Sequence, residues 1–497
     1  MKSISKPSIQ LVLTVALKEE LPLDWLASLD VEIFTLKALK AGAWKGPSQN
    51  KSSKKSVLFI ISGVGAAAAR ETALWIQKNL QPLFVVNLGT VGAIHSEDNI
   101  GEWVAPQLAS NERGEALPVD GRTPFPWAES VPRRFGGTLL SVEKPQFGNL
   151  PPEWMRFHYL DMECFAQAKV FAETCTSFHA VKWISDFSNP NGKEQFQRNL
   201  SRFRREVKRV LTFLRQDGKP EISVIIPVHN RRRWIGPCVD SVLEQTLRPK
   251  EIIVVDDDSE DGTLKALAPY KDRLTVLAQS ENRGVAAARN RGIAQSSSPW
   301  VCFLDSDDLW HKDKLNRQWQ FFQAHPFYEI LQCDEIWIRN GRRVNPCKHH
   351  EKPQGWIWKP SLARCLVSPS AVMMRRTLVE RMGGFDEDLP VCEDYDLWIR
   401  IAREHVVGLD PSLSVIKHGG HEGQLSRRYT AMDSFRVKAL LKALKEEKDP
   451  RHRTELIRVL KEKLAVLLKG SNKRMKFEKC REYEAILSSL EGVKETG

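Results

Sequence analysis

Trp300-Val-Cys-Phe-Leu-Asp305-Ser306-Asp307-Asp308 is five apolar residues followed by a turn with three carboxylates. So short an apolar run, closed by an acidic turn, reads as a buried strand of an open sheet. Open parallel sheets carry ligands beyond the carboxyl ends of their strands. Two earlier runs have the same form. Ile222–Pro227 ends in Pro227-Val-His229-Asn230, and Glu251–Val255 ends in Asp256-Asp-Asp-Ser259 with Asp261-Gly262 behind it. Leu274–Ala278 reads as a fourth strand, and Ile235–Gln245 and Val285–Gln295 read as helices. Strand–helix units of this length predict a parallel sheet with right-handed crossovers.

Carboxylates gathered at one sheet edge repel one another unless a cation or hydrogen-bond donors neutralise them. Hard divalent cations take such oxygen ligands and complete their shells with phosphate oxygens. A cation on a diphosphate would stabilise the charge of a departing nucleotide diphosphate. Taken singly, loop aspartates are caps and turn formers; three such clusters on the strand ends of one sheet point to a site.

From Glu221 to Ser426 the chain resembles the family 2 glycosyltransferases. The matching motifs are Ser223-Val-Ile-Ile-Pro227, Val254-Val-Asp-Asp-Asp-Ser259, Asn282-Arg-Gly284 with Ala288-Arg-Asn290, Leu304-Asp-Ser-Asp-Asp308, Gly383-Gly-Phe-Asp-Glu387 and Cys392-Glu-Asp-Tyr-Asp-Leu-Trp-Ile-Arg400. The resemblance implies the GT-A fold and an inverting transfer of sugar from a nucleotide diphosphate sugar to a glycan, lipid or protein hydroxyl. It places Pro227, His229 and Asp257 on the nucleoside, with Asp257 on the base, and Arg289 on the donor. Asp305 and Asp307 would bracket the diphosphate and a Mn2+ or Mg2+ ion, Asp307 being the direct ligand. His418 or His421 would reach the metal or phosphate. Asp394 would be the general base, with Glu393 as the fallback. Trp337, Trp356 and Trp358 fall where an acceptor pocket would form, although packing is the ordinary use of a tryptophan.

Residues 1 to about 215 alternate differently. Leu11–Leu17, Ser56–Ser62, Phe84–Leu88 and Ala180–Ile184 read as buried strands, and Ala66–Asn79, Met162–Thr174 and Phe196–Leu214 as helices. Gly63-Val-Gly65 allows close packing of backbone on helix. With Ala16-Leu-Lys-Glu-Glu20, Asn87–Gly92, Leu160-Asp-Met-Glu163 and Ile184-Ser-Asp186, this half resembles the nucleoside phosphorylase and methylthioadenosine/adenosylhomocysteine nucleosidase superfamily. The resemblance implies a purine nucleoside ligand. Asp186 would protonate the leaving base, Glu163 and Met162 would hold the ribose, Glu20 would orient the attacking water, and Thr90 would line the nucleophile or phosphate site. The stretch between Gly101 and Leu160 is short and rich in Pro and Gly, and no base-binding residue is identified in it.

The fold class that follows is α/β. Two Rossmann-like domains, 1–215 (phosphorylase/nucleosidase-like) and 221–428 (GT-A), precede a basic helical tail, 429–497. In the tail, leucines recur at helical spacing in Leu440–Leu444 and Leu456–Leu468, with breaks expected at Asp449-Pro450 and Gly470-Ser471. From Arg427 to Gly497 there are 19 Lys and Arg against 11 Asp and Glu, eight of the chain's twelve net positive charges. Such a tail could make peripheral contact with a membrane; a solvated helical face is the plainer reading. The nine cysteines contain no Cys-x-x-Cys pair, and Cys347 with His349 and His350 fits no usual zinc spacing. No apolar run reaches the roughly 18 residues that span a bilayer. These features predict a cytoplasmic enzyme, or one at the inner face of a membrane, with no nucleic-acid partner. Two other readings stay open: nucleosidase action as the main activity with a second half that only binds, and a non-catalytic scaffold.

Overall fold

The computed structural model describes residues 9–491 except 30, 42, 44–55, 96–97, 120–132, 136, 147–149, 173, 175, 216–217, 345–350, 422–423, 425–428 and 430. The Cys347, His349 and His350 group therefore lies outside the described residues. The chain divides into two bodies, residues 1–217 with 322–328, and residues 218–321 with 329–497.

The first body is built on a parallel core in the order Glu32–Thr35, Val57–Ile61, Leu11–Val15, Phe84–Ala93, Ser177–Phe187. Leu11–Val15 and residues 57–60 in its middle are buried on both faces, hence their largely apolar runs, while the edge strand Glu32–Thr35 is only half-buried. Helix Ala66–Asn79 packs with helix Cys164–Phe171 on this sheet. Two strands run longer than their apolar cores suggest, Phe84–Ala93 and Ser177–Phe187. Their register slips by one residue between Ile184 and Asp186, so Asp186 stands opposite Gly92. A bulge re-aims side chains, and this one turns Asp186 toward the Gly92 strand. A Cβ on Gly92 would lie 2.3 Å from Ser188 Oγ and 3.0 Å from Asp186 Oδ2, so only glycine leaves this corner open.

In the second body, Thr275–Ala278, Glu251–Asp256, Ile222–Val228 and Trp300–Phe303 form the parallel half of a nine-stranded sheet. These four strands pair in parallel as expected, and beyond them the sheet turns mixed. Val372–Arg375 pairs antiparallel with Trp300–Phe303, Ile330–Arg339 pairs antiparallel with Val372–Arg375, and Val407–Gly419 runs parallel to Ile330–Arg339. Ile330–Cys333 are buried, but 334–338 are only half-buried and Arg339 is exposed, which suits a strand that crossover helices do not cover on both faces.

Helices Asp433–Glu446, Pro450–Lys473 and Phe477–Glu491 follow. Val437, Leu440, Leu456, Leu460 and Leu464 share one apolar cluster with Leu397, Trp398 and Ile401 of helix Glu393–Glu404. The second helix runs through the expected break at Gly470-Ser471 to Lys473. An interior glycine costs only about 1 kcal/mol relative to alanine, and Ser471 is buried. Much of the basic charge here is locally paired: Lys442 with Asp386, Arg458 with Glu455 and Glu462, and Lys463 with Asp433. Among the described residues no helix is long and apolar enough to cross a membrane.

Leu460→Ala empties a fully buried position where these helices meet the sheet body. We expect a loss of ~2–5 kcal/mol in the denaturant unfolding of the second body. A loss confined to the helical signal would mean that the helices fold apart from the sheet.

Candidate functional site

In the second body the parallel strands deliver their carboxyl ends to one edge. The loop after Ile222–Val228 is tied to the next: His229 Nδ1 lies 2.6 Å from the carbonyl oxygen of Asp257, and Pro227 is buried in its strand. The Asp257 carboxylate accepts the backbone N–H of Arg283 and of Gly284, each at 2.8 Å, and the Gln279 amide at 2.6 Å. It thus shapes the Asn282-Arg-Gly284 turn, and Oδ2, with one donor, keeps a lone pair for a ligand N–H.

The triplet turn divides its carboxylates among different partners. Asp305 Oδ1 accepts Arg289 Nη2 at 2.7 Å, and the other arm of that guanidinium donates to Glu393 Oε1 at 2.6 Å. The Arg289 side chain is only 4% exposed. Burial opposes its charge, yet Asp305 and Glu393 raise its pKa further above the ordinary arginine value. Burial also opposes ionisation of Asp305, but Arg289 and Lys417 hold it below the usual carboxylate range. Glu393 is pushed up to about 7 by burial and then by Asp394, Arg289 notwithstanding. Arg289 therefore joins the Asp305–Asp308 turn to the start of helix Glu393–Glu404. Asp394, in the first turn of that helix, is half-buried, and its Oδ2 lies 3.5 Å from Cys365 Sγ.

Asp307 faces another way. Its Oδ2 lies 2.9 Å from His421 Nε2 and 3.9 Å from Arg231 Nε. His418 Nδ1 meets the Asp307 carbonyl at 3.0 Å, and the Trp234 ring packs 5.2 Å from the His418 ring and 5.0 Å from that of His421. Asp308 is buried beneath them, accepts Ser370 Oγ at 2.6 Å, and rises to about 8 through burial against the opposing charge of Lys417. Trp358 is buried in the apolar cluster, Trp356 is half-buried, and Trp337 lies with its ring centroid 5.4 Å from Lys417 Nζ. Sequence reasoning missed Arg231, Trp234, Ser370 and Lys417. A usable signal existed only for Lys417, a lysine directly behind the strand residues Val415-Ile416.

The first body holds a cavity of about 330 Å³ whose walls include Glu20, Thr90, Met162, Glu163 and Asp186, all five predicted residues. Glu20 Oε2 accepts the backbone N–H of Ala16 and Leu17, and Oε1 lies 3.4 Å from Thr90 Oγ1. Glu163 Oε1 accepts Gly65 N at 2.9 Å, where a φ of +95° favours glycine. Burial raises Glu20 and takes Glu163 to about 7, with Asp161 adding to the latter. Asp186 reaches about 7 through burial, against a 2.6 Å hydrogen bond from Ser185 Oγ. Val142, Pro145 and Gln146 supply wall from the segment where no base-binding residue was identified. The missed residue is Lys182, whose Nζ lies 3.0 Å from Asp161 Oδ2 with both side chains almost wholly buried. Its signal was legible: a lysine inside the buried run Ala180-Val-Lys-Trp-Ile184 demands carboxylate partners.

Known proteins are similar to parts of this chain. A family profile described as Glycosyl transferase family 2 matches residues 223–381. The chain is 45% identical over 190 residues to the putative teichuronic acid biosynthesis glycosyltransferase TuaG of Bacillus subtilis, covering 37% of this chain and 73% of that one. It is 34% identical over 202 residues to an uncharacterized glycosyltransferase of Rickettsia conorii, covering 40% of this chain and 33% of the relative, so it spans about a third of that protein's length. A solved 5'-methylthioadenosine/S-adenosyl homocysteine nucleosidase of Helicobacter pylori is similar at 12% identity and a TM-score of 0.32, covering 42% of this chain and 98% of that chain.

Arg289→Met leaves Asp305 and Glu393 without their shared cation. Loss of one partner from a buried pair costs ~3–5 kcal/mol, and we expect that loss in unfolding at neutral pH. Both carboxyls then have folded pKa values above their unfolded ones. The penalty is therefore largest at high pH and shrinks as acidification protonates them. A penalty independent of pH would mean that Arg289 acts through packing alone.

Proposed function

The chain belongs to glycosyl transferase family 2, and from that premise we propose that its second body transfers a sugar, with inversion, from a nucleotide diphosphate sugar to an acceptor hydroxyl. The observation that carries the reading is the Arg289 bridge, which brings the Asp305–Asp308 turn and the Glu393-Asp394 pair to one crevice. In this reading Asp257 and His229 hold the nucleoside at the neighbouring strand ends. Glu393 is committed to Arg289, which leaves Asp394 to accept the proton of the attacking hydroxyl. In-line attack on the anomeric carbon then releases the nucleotide diphosphate, and the proton remains on Asp394.

Mn2+ or Mg2+ is the cation such a donor would bring. Among the described residues no three His, Cys, Asp or Glu side chains converge to hold a metal. Asp305 is taken by Arg289, and Asp307 with His421 remains as a two-donor set, 2.9 Å apart. Two protein ligands suit a cation that keeps phosphate oxygens and waters in its shell. When bound, the cation would supply charge stabilisation to the departing diphosphate. Arg231, near Asp307, stands where it can meet the same charge.

Asp394→Asn should lower transfer by ~10²–10⁴-fold while donor affinity stays within a factor of about two, read by release of nucleotide diphosphate and by calorimetry. Unchanged transfer would remove Asp394 as the base. Chelation, or Asp307→Asn, should weaken donor binding; indifference to both would remove the metal.

For the first body the cavity supports a second reading, cleavage of a purine N-glycosidic bond. Asp186 would give its proton to the departing base, Glu163 would face the ribose, and Glu20 with Thr90 would orient water. The carboxyl of Asp186 keeps its proton up to about pH 7. Adenine release from methylthioadenosine should therefore fall above that pH, approaching tenfold per unit, and should vanish in Asp186→Asn. A rate that rises through this range would exclude Asp186 as the acid.

A further inference from the structure

Beyond the reacting groups, the hairpin of Ile330–Arg339 and Arg342–Val344 carries charge that the chemistry above does not use. Trp337 stands opposite Val344 and, on its other side, opposite Lys417; Arg339 stands opposite Arg342 and Gly419. Directly opposed residues share a face, and successive ones alternate. Glu335, Trp337, Arg339, Arg342 and Lys417 thus lie on one face, while Ile338, Arg343 and His418 lie on the other.

The shared face begins at the reaction centre. Lys417 Nζ donates to Ser368 Oγ at 2.9 Å and lies 3.7 Å from Asp308 Oδ2. Burial opposes its charge, but Asp308, Asp305, Glu335 and Asp394 all hold it protonated. Next along the face is Trp337, half-buried, whose indole N–H donates to Glu335 Oε1 at 3.1 Å. Glu335 is itself neutralised by Lys352 at 2.9 Å. The Arg339 guanidinium lies 5.9 Å from the Trp337 ring centroid. Arg339 and Arg342 are exposed, and among the described residues no carboxylate pairs with either. Two like charges directly opposed in a sheet repel, and an oxyanion between them would relieve that repulsion. Guanidinium forks match phosphate and carboxylate geometry.

We infer that the acceptor is a glycan bearing an oxyanion, its sugar ring on Trp337 and its anion on Arg339 and Arg342. Two strand residues span ~7 Å, about the distance from the middle of a hexose to the outer phosphate of a diphosphate on its anomeric oxygen. The ring's free hydroxyl then points back past Lys417 toward Asp394. This assignment rests on the glycosyltransferase reading.

The test is calorimetric titration of the full chain with three probes: N-acetylglucosamine diphosphate on a short alkyl chain, oligogalacturonate, and neutral maltotetraose. We expect one of the anionic probes to bind, more weakly at high salt, and the other two to bind poorly. The diphosphate and the uronate arms distinguish phosphate from carboxylate as the source of the anion. R339Q/R342Q should weaken binding roughly tenfold or more, with a melting temperature no lower than that of the wild type, since the repulsion between the two charges is removed. R343Q, on the opposite face, should change nothing. Three results would overturn the inference: maltotetraose binding as well as the anions, equal loss in R343Q, or no anionic binding by a chain that binds a uridine or guanosine diphosphate sugar. The donor is titrated in parallel for this reason. If no nucleotide sugar binds either wild type or variant, the glycosyltransferase reading falls and takes the acceptor assignment with it, whatever the anions do.

Discussion

A single buried guanidinium decides how the acidic edge of the second body is arranged. Three neighbouring carboxylates in one turn, with two more at a helix start, cannot all stay ionised in a low-dielectric crevice without compensation. Arg289 is the compensation. It comes from the middle of helix Val285–Gln295 and reaches Asp305 with one arm and Glu393 with the other. Lysine could not substitute, because a point charge lacks the fixed fork that holds two carboxylates at set distances. Turn and helix start, 88 residues apart at Asp305 and Glu393, are positioned against each other through that fork.

Once Arg289 is in place, the other carboxylates sort by partner. Asp308 is buried with Ser370 and Lys417, and burial keeps it proton-binding up to about 8. Asp307 meets His421, and Asp394 is left at the helix N-terminus, where the peptide dipoles favour negative charge. Chemically similar side chains acquire different roles through the cation each one faces. The first body follows the same logic with a smaller cation. Lys182, packed on Asp161, stands among Asp161, Glu163 and Glu20, and the carboxyls it cannot fully compensate are driven upward by burial.

Buried strands were legible in the sequence because their apolar runs end in turn chemistry. Leu11, Phe84, Ile222, Glu251 and Trp300 each begin the strand expected of them. Helices Ala66–Asn79 and Val285–Gln295 have their predicted bounds, since glycine precedes both. The mixed half of the second sheet was not legible, because strand direction depends on partners far along the chain. The fate of Asp305 was hidden for the same reason. The triplet looks like a ligand pair, and nothing local reveals that Arg289 claims one member. The break expected at Gly470-Ser471 failed because burial of neighbouring leucines outweighs one weak helix former.

The net charge of +12 is a poor guide to where positive charge is available. The final 71 residues hold most of it, yet Arg436, Lys442, Arg458, Lys463 and Lys479 all face carboxylates. Pairs at helical spacing and pairs with the sheet body consume charge that composition alone would assign to a surface patch. In the Arg342–Val344 hairpin a strand pairing sets Arg339 against Arg342, a placement that costs stability rather than adding it. Charge held against its own repulsion, beside an aromatic ring and a buried lysine, is a stronger mark of anion recognition than a larger excess already neutralised by its neighbours.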